Sequence, residues 1–165
     1  KALVAGYVSH LSTDNIWVRD IYLPCFGPAS PLASDPMAGV MDRALQWELA
    51  RRSRQDGPRL AQIKGLLAEI QVEGAMGFLD SASTRRWQQF VMSALAQEPI
   101  DNFLAYGWRF LEARNKVTRQ AWDEFAISLP TKLAWILNYV TEARLAAFQE
   151  KAMQAAVATT QEYTG

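Results

Sequence analysis

Residues 130–157, PTKLAWILNYVTEARLAAFQEKAMQAAV, decide the fold class. Leu133, Ile136, Leu137, Val140, Arg144, Ala147, Phe148 and Lys151 recur at the i, i+3/i+4, i+7 spacing of one helical face, apolar except toward its C-terminal end. Pro130 suits a first helical position, where its missing N–H would have had no intrahelical partner. Trp135 and Tyr139, one turn apart, flank the stripe and widen it enough to serve two neighbouring helices. The stretch reads as one long amphipathic helix against which others pack.

Beyond Val157, the tail TTQEYTG has no apolar periodicity and is expected to fray. Upstream, Thr118 supplies an N-cap for a short helix carrying Trp122, Phe125, Ala126 and Leu129, closed by Pro130. Pro99 opens a helix to about Asn115 in which Phe103, Leu104, Tyr106, Trp108, Phe110 and Leu111 leave little polar surface, so it is expected to be central. Before it, Ser81 or Ser83 caps a helix whose buried face is Trp87, Phe90, Val91, Ala94 and Leu95.

Asp56, Gly57 and Pro58 form a turn between two further helices. The first runs from Asp35 as N-cap and Pro36 to about Gln55, burying Met37, Val40, Met41, Ala44, Leu45 and Leu49. On it Glu48 and Arg52 form an exposed pair worth about 0.3 kcal/mol. The second runs from Pro58 to Leu79, burying Leu60, Ile63, Leu67 and Ile70, with Gly74 and Gly77 on the same stripe. At the N-terminus, KALVAGYVSHL is helical until Ser12, Thr13, Asp14 and Asn15 interrupt it, and IWVRDIYL forms a short second helix. Four prolines and a glycine in PCFGPASPLASDP (24–36) exclude a continuous helix and predict a long loop pinned by Cys25, Phe26 and Leu32.

The expected fold is therefore all-α: an irregular or orthogonal helical bundle of about seven or eight helices with one long proline-rich loop. It forms a single domain, with residues 1–34 as N-terminal helices and loop, 35–157 as the main bundle and 158–165 as a frayed tail. A chain of 165 residues, 50% hydrophobic and 21% charged, can build its core without metal or disulfide staples. Its single cysteine excludes an internal disulfide and favours a reducing compartment, so a cytoplasmic setting is expected. Composition rich in alanine and arginine and poor in lysine has a bacterial character. Lys132, Glu142 and Arg144 interrupt the most hydrophobic stretch, so no membrane span is expected.

The inventory for catalysis is thin. His10 is the only histidine, which excludes two-histidine zinc sites, HExxH helices and paired Glu-x-x-His motifs. Cys25 with His10 is the one nucleophile and base pair the composition allows; the ordinary reading, a partly buried thiol and a surface histidine, outweighs it. Gly74 and Gly77 lack a phosphate-loop context, and Glu69 with Glu73 reads as a solvated face, not as metal ligands. No catalytic residue, metal site or cofactor is expected, and the chain reads as a non-enzyme.

Formal charges balance at 17 against 17, which removes long-range attraction to nucleic acid or anionic membranes. Arg43, Trp47, Arg51 and Arg54 nevertheless share a helical face, and large aromatics with arginine are the residues enriched where proteins meet proteins. Met37, Met41 and Met153 would suit an adaptable contact surface. The function expected is a protein–protein interaction module, an adaptor or assembly component that docks another protein through Tyr22, Phe26, Arg43, Trp47, Arg51 and Arg54. The second reading is a helical nucleic-acid binder using Arg51, Arg52, Arg54, Arg59, Arg85 and Arg86; Glu48, Asp56 and the helix dipole weigh against it. A small-molecule-binding bundle lined by the six tryptophans and five tyrosines is the third.

Overall fold

The computed structural model describes residues 2–70, 80–99, 103–104, 108 and 117–164. Among them the chain is helical and contains no strand. Its helices are α1 (Ala2–Trp17), α2 (Ala38–Ser53), α3 (Gly57–Glu69), α4 (Ser81–Ala96), α5 (Arg119–Ile127), α6 (Leu129–Val140) and α7 (Glu142–Thr164). No helix among the described residues is long and apolar enough to cross a membrane. Two compact units are distinguished, Lys1–Leu45 with Asn115–Gly165, and Gln46–Arg114, one boundary falling inside α2.

In the first unit α1 and α7 run antiparallel. Ser9 Oγ donates to the Ala156 carbonyl at 3.4 Å, and further along α1 the Trp17 ring meets Phe148 edge to face at 5.0 Å. The expected break at Ser12–Asn15 does not occur: α1 continues to Trp17 and passes directly into a π-helical stretch, Val18–Tyr22, and a final turn, Leu23–Cys25. Ser12 and Thr13 are half-buried in a helix laid along α7, and tertiary packing overrides their weak capping preference. The π stretch seats Ile21 in the core.

Gly27 follows at a position that no other residue fits. A Cβ there would lie 2.8 Å from both the Cα and the carbonyl oxygen of Leu23, so the Tyr22 carbonyl can take the N–H groups of Phe26 and Gly27 only because a hydrogen stands in that space. Residues 28–37 then descend in linked turns. The carbonyls of Gly27, Ser30, Leu32 and Asp35 each accept from an N–H three residues on. Asp35 Oδ1 takes the Met37 N–H at 2.7 Å, so α2 starts at Ala38, later than an Asp35 N-cap with Pro36 would place it. Val40, Met41, Ala44 and Leu45 are buried as their spacing predicts, and the buried Asp42 carboxylate accepts from Trp17 Nε1 at 3.0 Å.

Residues 130–157 are not one helix. Thr141 stands at φ 72°, ψ 140°, ending α6 and opening α7. It also differs from expectation that α7 stays helical to Thr164 where a frayed tail was predicted, because Ala155, Ala156, Thr159 and Tyr163 continue its partly buried row. Trp135, expected to widen the buried surface, is exposed and stacks on Tyr139 at 5.1 Å. Thr118 caps α5 through the Ala121 N–H at 3.2 Å, and Trp122, Phe125 and Leu129 are buried, all as the spacing indicates.

In the second unit Asp56 caps α3 through the Arg59 N–H at 3.1 Å. Asp80 caps α4, taking the Ser83 N–H at 2.8 Å and the Ser83 hydroxyl at 2.6 Å, so the capping side chain is the aspartate and the serine is its donor. Gln88 ties the two helices by donating to the Leu67 carbonyl. Neither helix buries a residue. The expected buried faces, Leu60, Ile63, Leu67 and Ile70 on α3 and Trp87 and Phe90 on α4, are half-buried or exposed. Glu73, Gly74, Gly77 and most of the helix expected from Pro99 to Asn115 lie outside the described residues; of that helix, Pro99 and Phe103 are buried and Leu104 is at the surface.

Candidate functional site

Of the six residues expected to dock a partner, Tyr22, Phe26 and Arg43 belong to the first unit and Trp47, Arg51 and Arg54 to the second. Phe26 is buried, its ring edge to face with Tyr139 at 6.3 Å, and offers no surface. Tyr22 and Trp47 are half-buried and Arg43 is exposed.

Arg51 and Arg52 in the last turn of α2, and Arg54 just beyond it, are engaged within the fold. Arg51 grips Glu48 with two bonds, Nε to Oε2 at 2.7 Å and Nη2 to Oε1 at 2.9 Å, and Arg52 Nε adds a third at 3.0 Å. Glu48 is buried, not the solvated partner of an exposed pair, and the Arg51 bonds hold its carboxyl below its usual range against the opposing effect of burial. Arg54 Nη1 reaches the Ala94 carbonyl at 3.1 Å and the Gln97 carbonyl at 2.7 Å, closing the C-terminus of α4. Burial lowers its pKa, with Glu98 pulling the other way. Three of the residues chosen for nucleic-acid contact, Arg51, Arg52 and Arg54, therefore hold the fold together. Arg59, Arg85 and Arg86 remain at the surface, Arg86 also donating to Ser83 Oγ at 2.9 Å.

Cys25 and His10 serve separate contacts. The buried Cys25 Sγ accepts from Arg144 Nη1 at 2.8 Å, its carbonyl accepts from Tyr139 Oη at 3.1 Å, and His10 Nε2 lies 3.4 Å from Asp14 on the exposed side of α1. Among the described residues no three histidine, cysteine or acidic side chains gather as a metal site would require. A shallow groove of about 270 Å³ on α7, lined by Ala156, Val157, Thr160 and Gln161, carries no titratable group.

The surface that remains chemically available is one that periodicity assigned to the core. Trp87 and Phe90, one turn apart on α4, stack at 5.3 Å with planes 25° from parallel and are 65% and 55% exposed. Ile63, Leu66 and Ile70 are exposed on α3. The fact that residues 81–96 carry two arginines and no acid, just as the neighbouring helix carries Arg59 and Lys64 against Glu69 alone, was readable from sequence. No protein-family model, curated protein or solved structure matches the chain.

Proposed function

We propose that the chain is a non-catalytic protein-interaction module, an adaptor or component of a larger assembly, and that it docks its partner through α3 and α4. The observation that carries this reading is the stacked, exposed Trp87–Phe90 pair. Two large aromatics held in water are a standing cost unless something covers them, and burying Trp or Phe at the centre of an interface is where binding energy concentrates. Arg59, Lys64, Arg85 and Arg86 against Glu69 give the two helices an excess of positive charge, so the partner that fits presents an apolar surface bordered by acidic side chains. The docking residues are then Trp87 and Phe90, with Arg86 beside them, in place of the committed arginines of α2.

The test compares wild-type bait with Trp87→Ala/Phe90→Ala in host lysate, eluting in steps of rising salt and reading protein and nucleic acid separately. The expected result is a protein that survives high salt on wild type, is lost from the double variant, and stays bound to Trp47→Ala. Nucleic acid released at moderate salt with no such protein would favour the arginine-mediated alternative, since counterion release makes that binding steeply salt-dependent.

A further inference from the structure

The joint between α6 and α7 is at odds with its own sequence. Residues 138–145, NYVTEARL, contain neither glycine nor proline, and the apolar stripe passes through them without a change of register. Yet the chain breaks at Thr141, whose φ of 72° is the only positive value of a non-glycine among the described residues. With ψ at 140° this lies beside a region that essentially only glycine occupies, and the branched Cβ of threonine makes it costlier still. Helical hydrogen bonding reaches the break from both sides. Thr141 N–H donates to the Leu137 carbonyl at 3.0 Å and Leu145 N–H to the Thr141 carbonyl at 3.2 Å, while Arg144 N–H turns to Thr141 Oγ1 at 3.3 Å.

What holds the break is packing beyond it. Arg144 on Cys25 Sγ, Phe148 on Trp17, Lys151 on Asp20 at 2.9 Å and Ala156 on Ser9 all join α7 to the N-terminal segment, remote in sequence. Every one of these α7 residues lies beyond Thr141, on the other side of the joint from α6, so α7 can be handed to a second copy as a block. The contacts of Tyr139 with Phe26 and with the Cys25 carbonyl lie before the joint and stay within one chain.

We infer that this chain forms a dimer by exchanging α7: Leu129 to Thr164 becomes one continuous helix, and α7 of each copy packs on α1 of the other. The exchanged form keeps the contacts of α7 with the N-terminal segment, trades the Thr141 Oγ1 cap of the Arg144 N–H for a helical bond, relieves the strain at two Thr141 residues, and closes the interrupted helical bonds. Against it stands only the loss of freedom on association, which makes the balance depend on concentration. A second copy is the one partner that supplies the α1 surface α7 already fits. This surface is independent of Trp87 and Phe90.

Sedimentation velocity from low to high micromolar protein tests the state, and an engineered cross-link tests the exchange. Chains carrying both Ser9→Cys and Ala156→Cys, with and without an affinity tag, are refolded together and oxidised; the expected product is a disulfide between tagged and untagged chains, absent from wild type. Thr141→Gly, comfortable at positive φ, should weaken dimerisation on the order of 100-fold because two hinges relax, whereas Thr141→Ala, a better helix former still strained in the closed form, should strengthen it. A chain that stays monomeric at every concentration even as Thr141→Ala overturns the inference. So does a dimer whose introduced thiols link only within chains, or one whose dissociation constant is indifferent to Thr141→Gly.

Discussion

Trp17 Nε1 donates to Asp42 Oδ1 at 3.0 Å, joining the end of α1 to α2 through a hydrogen bond that is buried on both sides. The indole ring also packs edge to face on Phe148, so one side chain ties α1 to both α2 and α7. Trp17→Phe removes the donor and leaves a void, and is expected to cost about 2 kcal/mol. Asp42→Asn keeps an acceptor for the indole N–H but exchanges the other carboxylate oxygen for an amide donor and removes the charge, costing about 1 kcal/mol. Urea denaturation reads both as lowered midpoints; a larger effect of Asp42→Asn than of Trp17→Phe would mean that the carboxylate matters beyond its bond to the indole.

Gly27→Ala places a methyl group 2.8 Å from backbone atoms of Leu23, which cannot swing aside as a flexible side chain would. The turn must open and weaken the double acceptance by the Tyr22 carbonyl, at an expected cost of about 1–3 kcal/mol. The same substitution at Gly65, where a Cβ meets nothing within 4 Å on the exposed side of α3, is expected to be stabilising by up to about 1 kcal/mol. Thermal unfolding of the two variants should therefore move in opposite directions.

Acid should loosen the contact between the π-helical stretch and α7. Hydrogen bonds from Arg19 and then Lys151 lower the Asp20 carboxyl from 3.8 to about 2. Because the folded value lies below the unfolded one, this stabilisation is present above pH 3.8 and is lost as pH falls toward about 2. Wild type and Asp20→Asn should differ in melting temperature at neutral pH and converge across that window. A difference that persists below it would assign the effect of Asp20 to something other than its charge. Glu48, lowered chiefly by Arg51, adds a loss of the same sign below the ordinary carboxylate range.

Legibility in the sequence followed the range of the interactions. Thr118 was readable as a cap because the cap bond spans three residues, Asp56 only as part of a turn, and Trp122 with Phe125 as core because their spacing marks one face of a short helix. The break at Thr141 was not: its local mark is slight, a threonine that caps the Arg144 N–H with no glycine or proline beside it, and what holds it is the contacts of α7 with Cys25, Asp20, Trp17 and Ser9. Trp87 and Phe90 show the complementary limit. Periodicity identifies which face of α4 is apolar but not whether any element covers it. Glu48 was readable only in part. The spacing to Arg52 was visible, whereas the two-pronged grip of Arg51 depends on side-chain directions that spacing does not specify.

The C-terminus of α4 depends on Arg54, which follows the end of α2. Carbonyls in the last turn of a helix have no intrahelical donors, and Arg54 satisfies those of Ala94 and Gln97 while setting a cation against the negative end of the helix. Arg54→Met keeps the aliphatic stem and removes both bonds, so the end of α4 should fray. Amide exchange of Leu95 and Ala96 is expected to quicken about tenfold, with the first turn, held by Asp80, unchanged. Arg54→Lys retains the charge but not the guanidinium group, and should recover only part of the protection. If the last turn kept full protection in Arg54→Met, water and the Gln97 N–H, which also reaches the Ala94 carbonyl at 3.4 Å, would suffice for it, and Arg54 would be released from its structural role and returned to the set of arginines available for binding.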